Sequence, residues 1–297
     1  MRTTSTPIES TATGGRWDRK LGLRLATASV LVPAFVLTMV VGRELFLLAV
    51  AMLTVAGGIE FFGMAERKPY RARLAPGLVL GLVFPFLFYR APGDTALLIV
   101  VLTAGVVGVA TAQMLDPRGH EAIAAVAFTL LGSLYTGLLF GHQILVREIS
   151  REIAGAPYWL GAMLLAVPLL LTWANDTVAY FSGLSWGKRR LLPRVSPGKS
   201  VEGAAVALIA TIIAGALVGG VVQRWFPLLG PGHGLVIGAL IGVAAPCGDL
   251  IESAFKRDAG VKDSSQVVPG HGGVLDRFDG VLITVPLFYY YVVGVVL

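Results

Sequence analysis

The sequence is poor in charge and has almost no cysteine. Only 14% of its 297 residues are Asp, Glu, Lys or Arg, and 55% are hydrophobic, whereas soluble domains carry about 25% charged residues. So little polar surface cannot coat a water-soluble globule of this size, which excludes a soluble domain. The single cysteine, Cys247, excludes a disulfide framework or a cysteine-based metal site within one chain.

The hydrophobic residues are grouped in long blocks. A bilayer core of about 30 Å is crossed by about 20 apolar residues in a helix, so block length predicts an all-α, polytopic membrane protein with about nine transmembrane helices. We interpret residues 1–20, which are rich in Ser, Thr and Gly, as a disordered tail and residues 21–297 as a single transmembrane domain. The predicted spans are residues 21–41, 45–63, 74–89, 95–114, 122–141, 158–175, 203–222, 234–251 and 280–297.

The basic residues predict the orientation of these helices, because Lys and Arg accumulate in cytoplasmic loops. With a cytoplasmic N-terminus and an outer C-terminus, all but five of the 24 basic residues fall on the cytoplasmic side. The tryptophans Trp159 and Trp225 fall at outer boundaries, as interfacial aromatic residues do. The net charge of +6 is thus a topology signal and an attraction for anionic head groups, and it argues little for nucleic acid. The five outer basic residues are Arg43, Arg90, Arg147, Arg151 and Arg224.

The candidate chemistry lies in two polar inner loops, at residues 182–202 and 252–279. Asp249 stands at the inner end of the eighth predicted span, where a charge costs about 2.5–3.5 kcal/mol unless it is paired or hydrated. Pro246 and Gly248 just before it favour a broken helix that lines a polar cavity. If the helix continues instead, the residues that share the face of Asp249 are Glu252, Ser253 and Lys256.

The second inner loop ends in a pair of aspartates after a glycine-rich run. Asp276 and Asp279 precede the ninth span and could return to the mouth of the eighth, where they would meet Asp249. Such a cluster suits Mg²⁺, which takes oxygen ligands and keeps substrate phosphates in its shell. The preceding Pro-Gly-His-Gly-Gly run could cradle phosphate oxygens with its backbone N–H groups. His271 in that run fits a structural or phosphate-contacting role as well as an acid–base role.

The first inner loop is strongly basic. Asp176 lies at the inner end of the sixth span, Tyr180 follows one turn later, and a basic segment punctuated by Pro and Gly comes next. The run Gly198-Lys199-Ser200 is like the end of a P-loop, but the required first glycine is Pro193, so a P-loop is rejected. The loop suits a polyphosphate or a lipid phosphate, and the alternative is a positive-inside anchor.

Three other carboxylates lie outside these loops. Glu60, near the inner end of the second span, is interpreted as a packing or helix-pairing residue rather than a catalytic one. Glu148 and Glu152 alternate with Arg147 and Arg151 on the outer side, a pattern typical of a solvated face.

The segment from Ser253 to Asp279 resembles the signature of the phosphatidate cytidylyltransferase family. It reads Ser-x-x-Lys-Arg, four residues, Lys-Asp, and then Pro-Gly-His-Gly-Gly-x-x-Asp-Arg-x-Asp, with every fixed position present. The first loop is similar to the family's Asp-Thr-x-Ala-Tyr-x-x-Gly, Gly-Lys and Ser-Pro-x-Lys-Thr-x-Glu-Gly segment, with Ser200 in place of the usual Thr. This resemblance implies an enzyme that makes CDP-diacylglycerol and pyrophosphate from CTP and phosphatidic acid. It also implies that Asp249 and Asp276 hold Mg²⁺, with a second cation beside it, and that the basic and Ser-Pro segments bind the substrates.

The expected reaction is attack by the phosphate of phosphatidic acid on the α-phosphorus of CTP. A phosphate monoester has a second pKa of about 6 and is largely dianionic at neutral pH, so it needs no general base. Metal ions and Lys or Arg side chains are needed to hold two anionic reactants together. We assign Asp249, Asp276, Lys256 and Arg277 as catalytic, with Asp249 and Asp276 as the metal ligands. The expected substrate-binding residues are Asp176, Tyr180, Lys188, Ser196, Lys199, Arg257, Lys262, His271 and Asp279.

The expected partners are CTP, phosphatidic acid and membrane lipids, without nucleic acid, and a homodimer is left open. The expected location is a bacterial inner membrane, with the site facing the cytoplasm. The alternatives are a transporter of a phosphorylated metabolite, a related membrane enzyme that acts on another lipid phosphate or a lipid alcohol, and an inactive scaffold. A transporter does not require the Asp-Arg-x-Asp cluster after a glycine-rich loop, and the intact ligand residues disfavour a scaffold.

Overall fold

The computed structural model describes residues 29–67, 72–115, 121–265 and 272–297. The predicted tail at residues 1–20 lies outside the described residues, as does His271. The division into a tail and a single domain stays a prediction.

The described chain is a set of apolar helices with one small β-hairpin. Seven helical segments are long and apolar enough to cross a membrane, and two shorter apolar helices accompany them. The protein is therefore an all-α polytopic membrane protein, as the block lengths predict, while the number of spans stays a prediction. The helices are α1 (Ser29–Val41), α2 (Arg43–Ala65), α3 (Leu74–Arg90), α4 (Thr95–Met114), α5 (Ala122–Ser133), α6 (Leu139–Glu148), α7 (Trp159–Trp186), α8 (Val201–Val222), α9 (Pro231–Asp258) and α10 (Leu275–Tyr291).

Short irregular segments and the hairpin complete the described chain. A π-helical segment, Leu134–Leu138, joins α5 to α6, a 3₁₀ turn, Ile149–Arg151, ends that span, and a second π-helical segment, Val292–Val296, extends α10. The hairpin pairs β1 (Arg190–Leu192) with β2 (Ser196–Ser200) in antiparallel fashion between α7 and α8. Because β2 runs directly into α8, the hairpin is held at one end of the helical bundle.

Helices α7 to α10 pack closely because small and hydroxyl residues line their contacts. Gly219 of α8 has no side chain, so the backbone at Gly230 can approach it closely. A Cβ added at Gly219 would lie only 2.6 Å from the carbonyl oxygen of Gly230. The Asn175 amide of α7 donates to Thr211 Oγ1 of α8 at 2.9 Å. Small residues and interhelical hydrogen bonds are the usual basis of helix association in membranes. This packing gives a closely packed frame that holds the polar residues near the hairpin.

Helix α9 is continuous, so the predicted break at Pro246 and Gly248 is wrong. Gly248 instead lies against the backbone of α10, where an added Cβ would contact the carbonyl oxygen of Asp279 and lie 2.9 Å from the Cα atom of Gly280. The glycine therefore permits a close helix crossing. Continuity also puts Asp249 and Lys256 on one helix, as the alternative reading of the sequence requires.

Helices α7 and α10 extend further toward the inner loops than block length predicts. Helix α10 begins at Leu275, so Asp276 and Asp279 lie in its first turns rather than in the loop before it. Helix α7 continues to Trp186 and therefore contains Asp176 and Tyr180. Polar residues predicted in loops or at the ends of spans therefore lie within helices, and the helices hold their charged side chains in place.

The predicted solvated face at Arg147 and Glu148 is wrong, because both residues are buried. Arg147 is 0% exposed, and its guanidinium donates to the carbonyl oxygens of Met39 and of Val40, the latter at 3.1 Å. The last carbonyls of a helix have no intrahelical donors, so Arg147 satisfies the end of α1. Tyr158 O–H donates to Glu148 at 2.8 Å. Arg147 is therefore a structural partner of the backbone and Glu148 is a buried partner of Tyr158, whereas Arg151 and Glu152 are exposed.

Trp159 and Trp225 were both predicted at the outer boundary, and their rings are in contact. The ring centroids lie 6.0 Å apart in an edge-to-face arrangement. This contact puts the start of α7 and the segment after α8 at the same end of the bundle.

Candidate active site

A lysine joins α9 to α10 at the end of the bundle that carries the hairpin. The Lys256 ammonium lies 2.5 Å from Glu252 Oε2 on its own helix and 2.6 Å from Asp276 Oδ1 on α10. The Glu252 side chain is fully buried, and those of Lys256 and Asp276 are mostly buried. Buried charges are stable only when they are paired, so this three-membered group is a firm cross-link between the two helices.

The carboxylate of Asp276 is fixed on its other side by the chain before α10. Its Oδ2 atom accepts from the backbone N–H of Gly273 at 3.0 Å and from Ser264, whose N–H lies at 3.2 Å and whose hydroxyl lies at 3.0 Å. Asp276 is therefore oriented by bonds to both of its oxygens. Hydrogen bonds of this kind favour the charged form of a carboxylate, which is the form that would interact with cations.

Asp249 lies one helical turn before Glu252 and is paired with a residue of the hairpin. Its Oδ2 atom lies 2.5 Å from the ammonium of Lys199 on β2, and Ser253 O–H donates to its Oδ1 atom at 3.2 Å. In the described part of the chain, Asp249 and Asp276 are thus each paired with a lysine and not with each other. Residues three apart on a helix share a face, so the two groups are neighbours on α9.

Two further aspartates surround this pair. Asp279 is brought to Asp249 by the close crossing at Gly248, and it lies within electrostatic range of Asp249, Asp176 and Lys199. Asp176 on α7 lies within electrostatic range of Lys199 and Asp249. Three helices therefore bring carboxylates near the lysine of the hairpin, and Asp249 is the one that pairs with it.

The hairpin is held over the site by hydrogen bonds to the helix ends. The carboxylate of Glu202, in the first turn of α8, accepts from the backbone N–H groups of Lys188 and Arg189 at 3.0 and 3.1 Å. Arg257 of α9 donates to the carbonyl oxygen of Val195 at 3.4 Å. These bonds hold the basic segment beside the cluster and fix the backbone position of Lys199. The segment is called the lid below.

The remaining predicted residues lie at the edges of this arrangement. Ser196 is half-buried at the start of β2, and Lys262 and Arg277 are exposed beside the cluster. Tyr180 is exposed on α7, where its ring packs against Phe181 at a centroid distance of 5.4 Å. The structure therefore brings Lys199 and Lys256 together with the predicted aspartates, whereas Lys188, Lys262, Arg277 and Tyr180 are exposed.

The residues that the sequence did not assign are Glu252 and Ser264. Glu252 was noted only as sharing the face of Asp249, although its spacing of four residues from Lys256 on a continuous helix is the signal that predicts their pairing. Ser264 falls in the part of the inner loop that carries no fixed position of the family pattern. Both act by holding Asp276 or its lysine, a role that depends on tertiary contacts.

The donors present fit a magnesium ion that shares its shell with substrate. In the described residues no three His, Cys, Asp or Glu side chains surround a single point, so a metal cage made only of protein is not formed there. Magnesium is usually bound by one or two carboxylates, with water and substrate phosphates completing the shell. Asp249 and Asp276 supply hard oxygen donors, and the buried Oε1 atom of Glu252 has no hydrogen-bond partner among the described residues. Oxygen donors held beside cationic lysines are the chemistry that such a metal requires.

The fold and this cluster define an integral membrane enzyme with a polar site formed by α7, α9, α10 and the hairpin. A sequence model described as the cytidylyltransferase family matches residues 22–295. The chain belongs to the cytidylyltransferase family. The resemblance noted in the sequence is thereby confirmed, as is its classification as a CTP-dependent nucleotidyltransferase.

Individual relatives support the same assignment. A phosphatidate cytidylyltransferase of Thermotoga maritima is 33% identical over 274 residues, covering 91% of this chain and 95% of the relative. One of Bacillus subtilis is 29% identical over 274 residues, covering 90% of this chain and 96% of the relative. The uncharacterized protein YnbB of Escherichia coli is 38% identical over 201 residues, covering 66% of this chain and 63% of the relative. The match with YnbB thus spans less than two thirds of that protein.

Proposed function

We propose that the protein transfers the cytidylyl group of CTP to phosphatidic acid at the cluster formed by α7, α9, α10 and the hairpin. A phosphate oxygen of phosphatidic acid attacks the α-phosphorus of CTP. The bond from that phosphorus to the oxygen that bridges to the β-phosphate breaks, and pyrophosphate leaves. The products are CDP-diacylglycerol and pyrophosphate. Family membership and the relatives named as phosphatidate cytidylyltransferases support this reaction.

The observation that carries the proposal is the pairing of each assigned aspartate with a lysine. Asp249 is held by Lys199, and Asp276 is held by Lys256. Phosphates of the two substrates can compete for these ammonium groups, because phosphate oxygens bind Lys as carboxylates do. The lysines then neutralise the substrates, and the aspartates become available for metal ions.

Asp249 and Asp276 are proposed to hold Mg²⁺, with a second cation near the same carboxylates. When bound there, the metal would neutralise phosphate charge and make the α-phosphorus more electrophilic. Asp279 and Asp176 orient the metal site or the substrate from α10 and α7. Glu252 is held by Lys256 in the described structure and supports the position of Asp276.

The basic residues of the lid and of α9 and α10 are proposed to bind the phosphates of the two substrates. They lie on several elements, so they can contact two substrates from different sides of the cluster. Tyr180 lies on the exposed face of α7, where an aromatic ring suits the boundary between lipid and water. The residues proposed for phosphate or head-group contact are Lys188, Ser196, Lys199, Arg257, Lys262, His271 and Arg277.

The site is proposed to face the cytoplasm of a bacterial inner membrane, in a chain of about nine spans with its N-terminus inside. The support is the excess of Lys and Arg in the predicted inner loops, which is the signal for cytoplasmic segments. CTP would reach the lid from water, and phosphatidic acid would arrive laterally from the inner leaflet. A transporter is the weaker candidate, since it does not require the aspartates of the Asp276-Arg277-Phe278-Asp279 run at the start of α10.

A direct assay of the purified protein tests this function. Wild-type protein incubated with CTP, Mg²⁺ and phosphatidic acid should release pyrophosphate and form CDP-diacylglycerol, and omission of either substrate should stop both. A lipid alcohol or another lipid phosphate, offered instead of phosphatidic acid, tests the related enzymes. Failure of phosphatidic acid together with turnover of another acceptor would contradict the proposed substrate.

The variant Asp249→Asn tests the metal assignment. The amide keeps the shape of the side chain but loses the charge, so we expect turnover to fall by about 100-fold or more, since a group that stabilises charge at the reacting centre contributes about 10²–10³ in rate. The matched control is Asp94→Asn, because Asp94 caps α4 by accepting from Leu97 N–H at 2.9 Å and asparagine caps helices equally well. Near-normal turnover of a folded Asp249→Asn protein would exclude the assigned role.

A further inference from the structure

Glu60 of α2 is buried and fully hydrogen-bonded close to the proposed site. It is 3% exposed. Its Oε1 atom accepts from Ser265 O–H at 2.6 Å and from Val274 N–H at 2.8 Å. Its Oε2 atom accepts from Ser264 O–H at 3.0 Å and from Leu275 N–H at 2.9 Å. Every one of these donors belongs to the inner loop or to the start of α10, so the carboxylate joins α2 to both.

Two of these bonds make Glu60 the N-terminal cap of α10. The first N–H groups of a helix have no intrahelical acceptor, and an acidic group at that end is favoured by the helix dipole. No side chain of the local segment caps α10 at Val274. Glu60 supplies the acceptor from a helix about 200 residues earlier in the sequence. The start of α10, and with it Asp276, is therefore positioned by α2.

Ser264 extends the same arrangement to Asp276. Its hydroxyl oxygen lies 3.0 Å from Glu60 Oε2 and 3.0 Å from Asp276 Oδ2. A hydroxyl has one hydrogen, so it donates to one carboxylate at a time while it remains between the two. Gly273 completes the enclosure, because an added Cβ would lie 2.7 Å from Glu60 Oε2 and would contact Ser264 Oγ. Only glycine leaves room for this bridge.

We propose that Glu60 is a positioning residue for the reaction: it fixes the backbone of Val274 and Leu275 and the bridging Ser264, and thereby sets the place and orientation of Asp276. Glu60 itself touches none of the reacting atoms. Groups that orient the ligands of a metal typically change metal affinity or activity by about 10–100-fold when they are altered. The proposal rests on the proposed function for its kinetic part, and its structural part can be measured without the reaction.

The test compares Glu60→Gln with Glu148→Gln. The glutamine amide nitrogen is a donor, so it would face N–H and O–H donors and leave part of the α10 start without an acceptor. Glu148 is a matched control, because it is also a buried, hydrogen-bonded carboxylate and lies at the opposite end of the bundle. Both proteins are assayed at a temperature at which thermal unfolding shows them folded.

For Glu60→Gln we expect kcat to fall and the Mg²⁺ concentration for half-activation to rise, each by about 10–100-fold, with little change in the KM for CTP. Hydrogen–deuterium exchange of the peptide that contains Val274 and Leu275 should become faster, with and without substrates. Glu148→Gln should change none of these four quantities. Glu60→Asp, which keeps both acceptor oxygens, should restore part of kcat.

Equal kcat and Mg²⁺ dependence in Glu60→Gln and Glu148→Gln would reduce Glu60 to a packing residue and overturn the proposal. If Glu60→Gln does not fold, Ser264→Ala tests the same bridge from the loop, and unchanged kcat and Mg²⁺ dependence in that variant would also overturn it. The two proposals can fail separately. If the wild-type protein does not turn over CTP, but Glu60→Gln still shows faster hydrogen exchange than the wild type, the proposed function is refuted and the cap is supported.

Discussion

At the scale of single residues, one ammonium group holds two helices together. Lys256 lies between Glu252 and Asp276, with side-chain exposures of 12%, 0% and 11% for the three residues. Removal of one member of a buried ion pair leaves an uncompensated charge, which costs about 3–5 kcal/mol. Lys256 therefore has a structural role in addition to its proposed contact with phosphate.

We predict that Lys256→Met lowers the free energy of unfolding by about 3–5 kcal/mol. Adding Glu252→Gln to the same protein should recover part of this loss, because one of the two unpaired carboxylates becomes neutral. Denaturant unfolding of the purified proteins in one detergent measures both effects. An unchanged unfolding midpoint in Lys256→Met would show that the ion pairs contribute no stability.

The residue types at the site could be predicted from the sequence, but their partners could not. Asp249 and Asp276 stand out because embedded carboxylates are costly and because the family pattern contains them. The choice of Lys199 for one and Lys256 for the other depends on how the hairpin and α9 fold back. Glu60 stood out as an embedded carboxylate too, but its donors lie more than 200 residues away along the chain, so the sequence could not show what it holds.

At the scale of helices, the site depends on the close crossing of α9 and α10 at Gly248. An added methyl group there would contact the backbone at Asp279 and Gly280 rather than a flexible side chain. The crossing sets the distance between Asp249 and the aspartates of α10. A small change in this spacing would therefore alter the site without changing any of its functional groups.

We predict that Gly248→Ala lowers the free energy of unfolding by about 1–3 kcal/mol, the usual effect of overpacking, and also lowers turnover. The control is Gly108→Ala in α4, where no atom lies within 4 Å of the added Cβ. This control should be neutral or slightly stabilising, because alanine is the better helix former. Equal stability and turnover in the two variants would argue against a close crossing.

The helices themselves were predictable, whereas several of their ends were not. Long apolar blocks predict helices because a bilayer leaves backbone groups no other partners. The ends depend on capping, and α10 begins at Leu275 because a carboxylate of another helix receives its first N–H groups. The break predicted at Pro246 failed for a related reason, since Gly248 serves the packing of α10 rather than the interruption of α9.

At the scale of the whole molecule, the charge distribution predicts the orientation. Hairpin residue Arg194 and loop residue Arg224 lie at opposite ends of α8 and are both exposed. The hairpin belongs to the proposed cytoplasmic side and the loop to the outer side. If α8 spans the membrane, the two residues lie on opposite sides of it. Determining the side on which each residue lies therefore tests this assignment.

We predict that a membrane-impermeant maleimide labels Arg224→Cys in intact spheroplasts and labels Arg194→Cys only after permeabilisation. The sole native cysteine is exposed and is first replaced by Cys247→Ala. Labelling is read by mass shift on gels. The reverse pattern would invert the proposed orientation, and labelling of both positions from one side would show that α8 does not cross the membrane.

The bond network of Glu60 also has a consequence for biosynthesis. A ribosome releases α2 long before α10 exists, so the carboxylate of Glu60 enters the bilayer without the donors that later surround it. Synthesis of α10 and the loop before it supplies those donors and Asp276 in the same step. If the cluster is the catalytic centre, as proposed, a nascent chain holds no competent centre until α10 is in place.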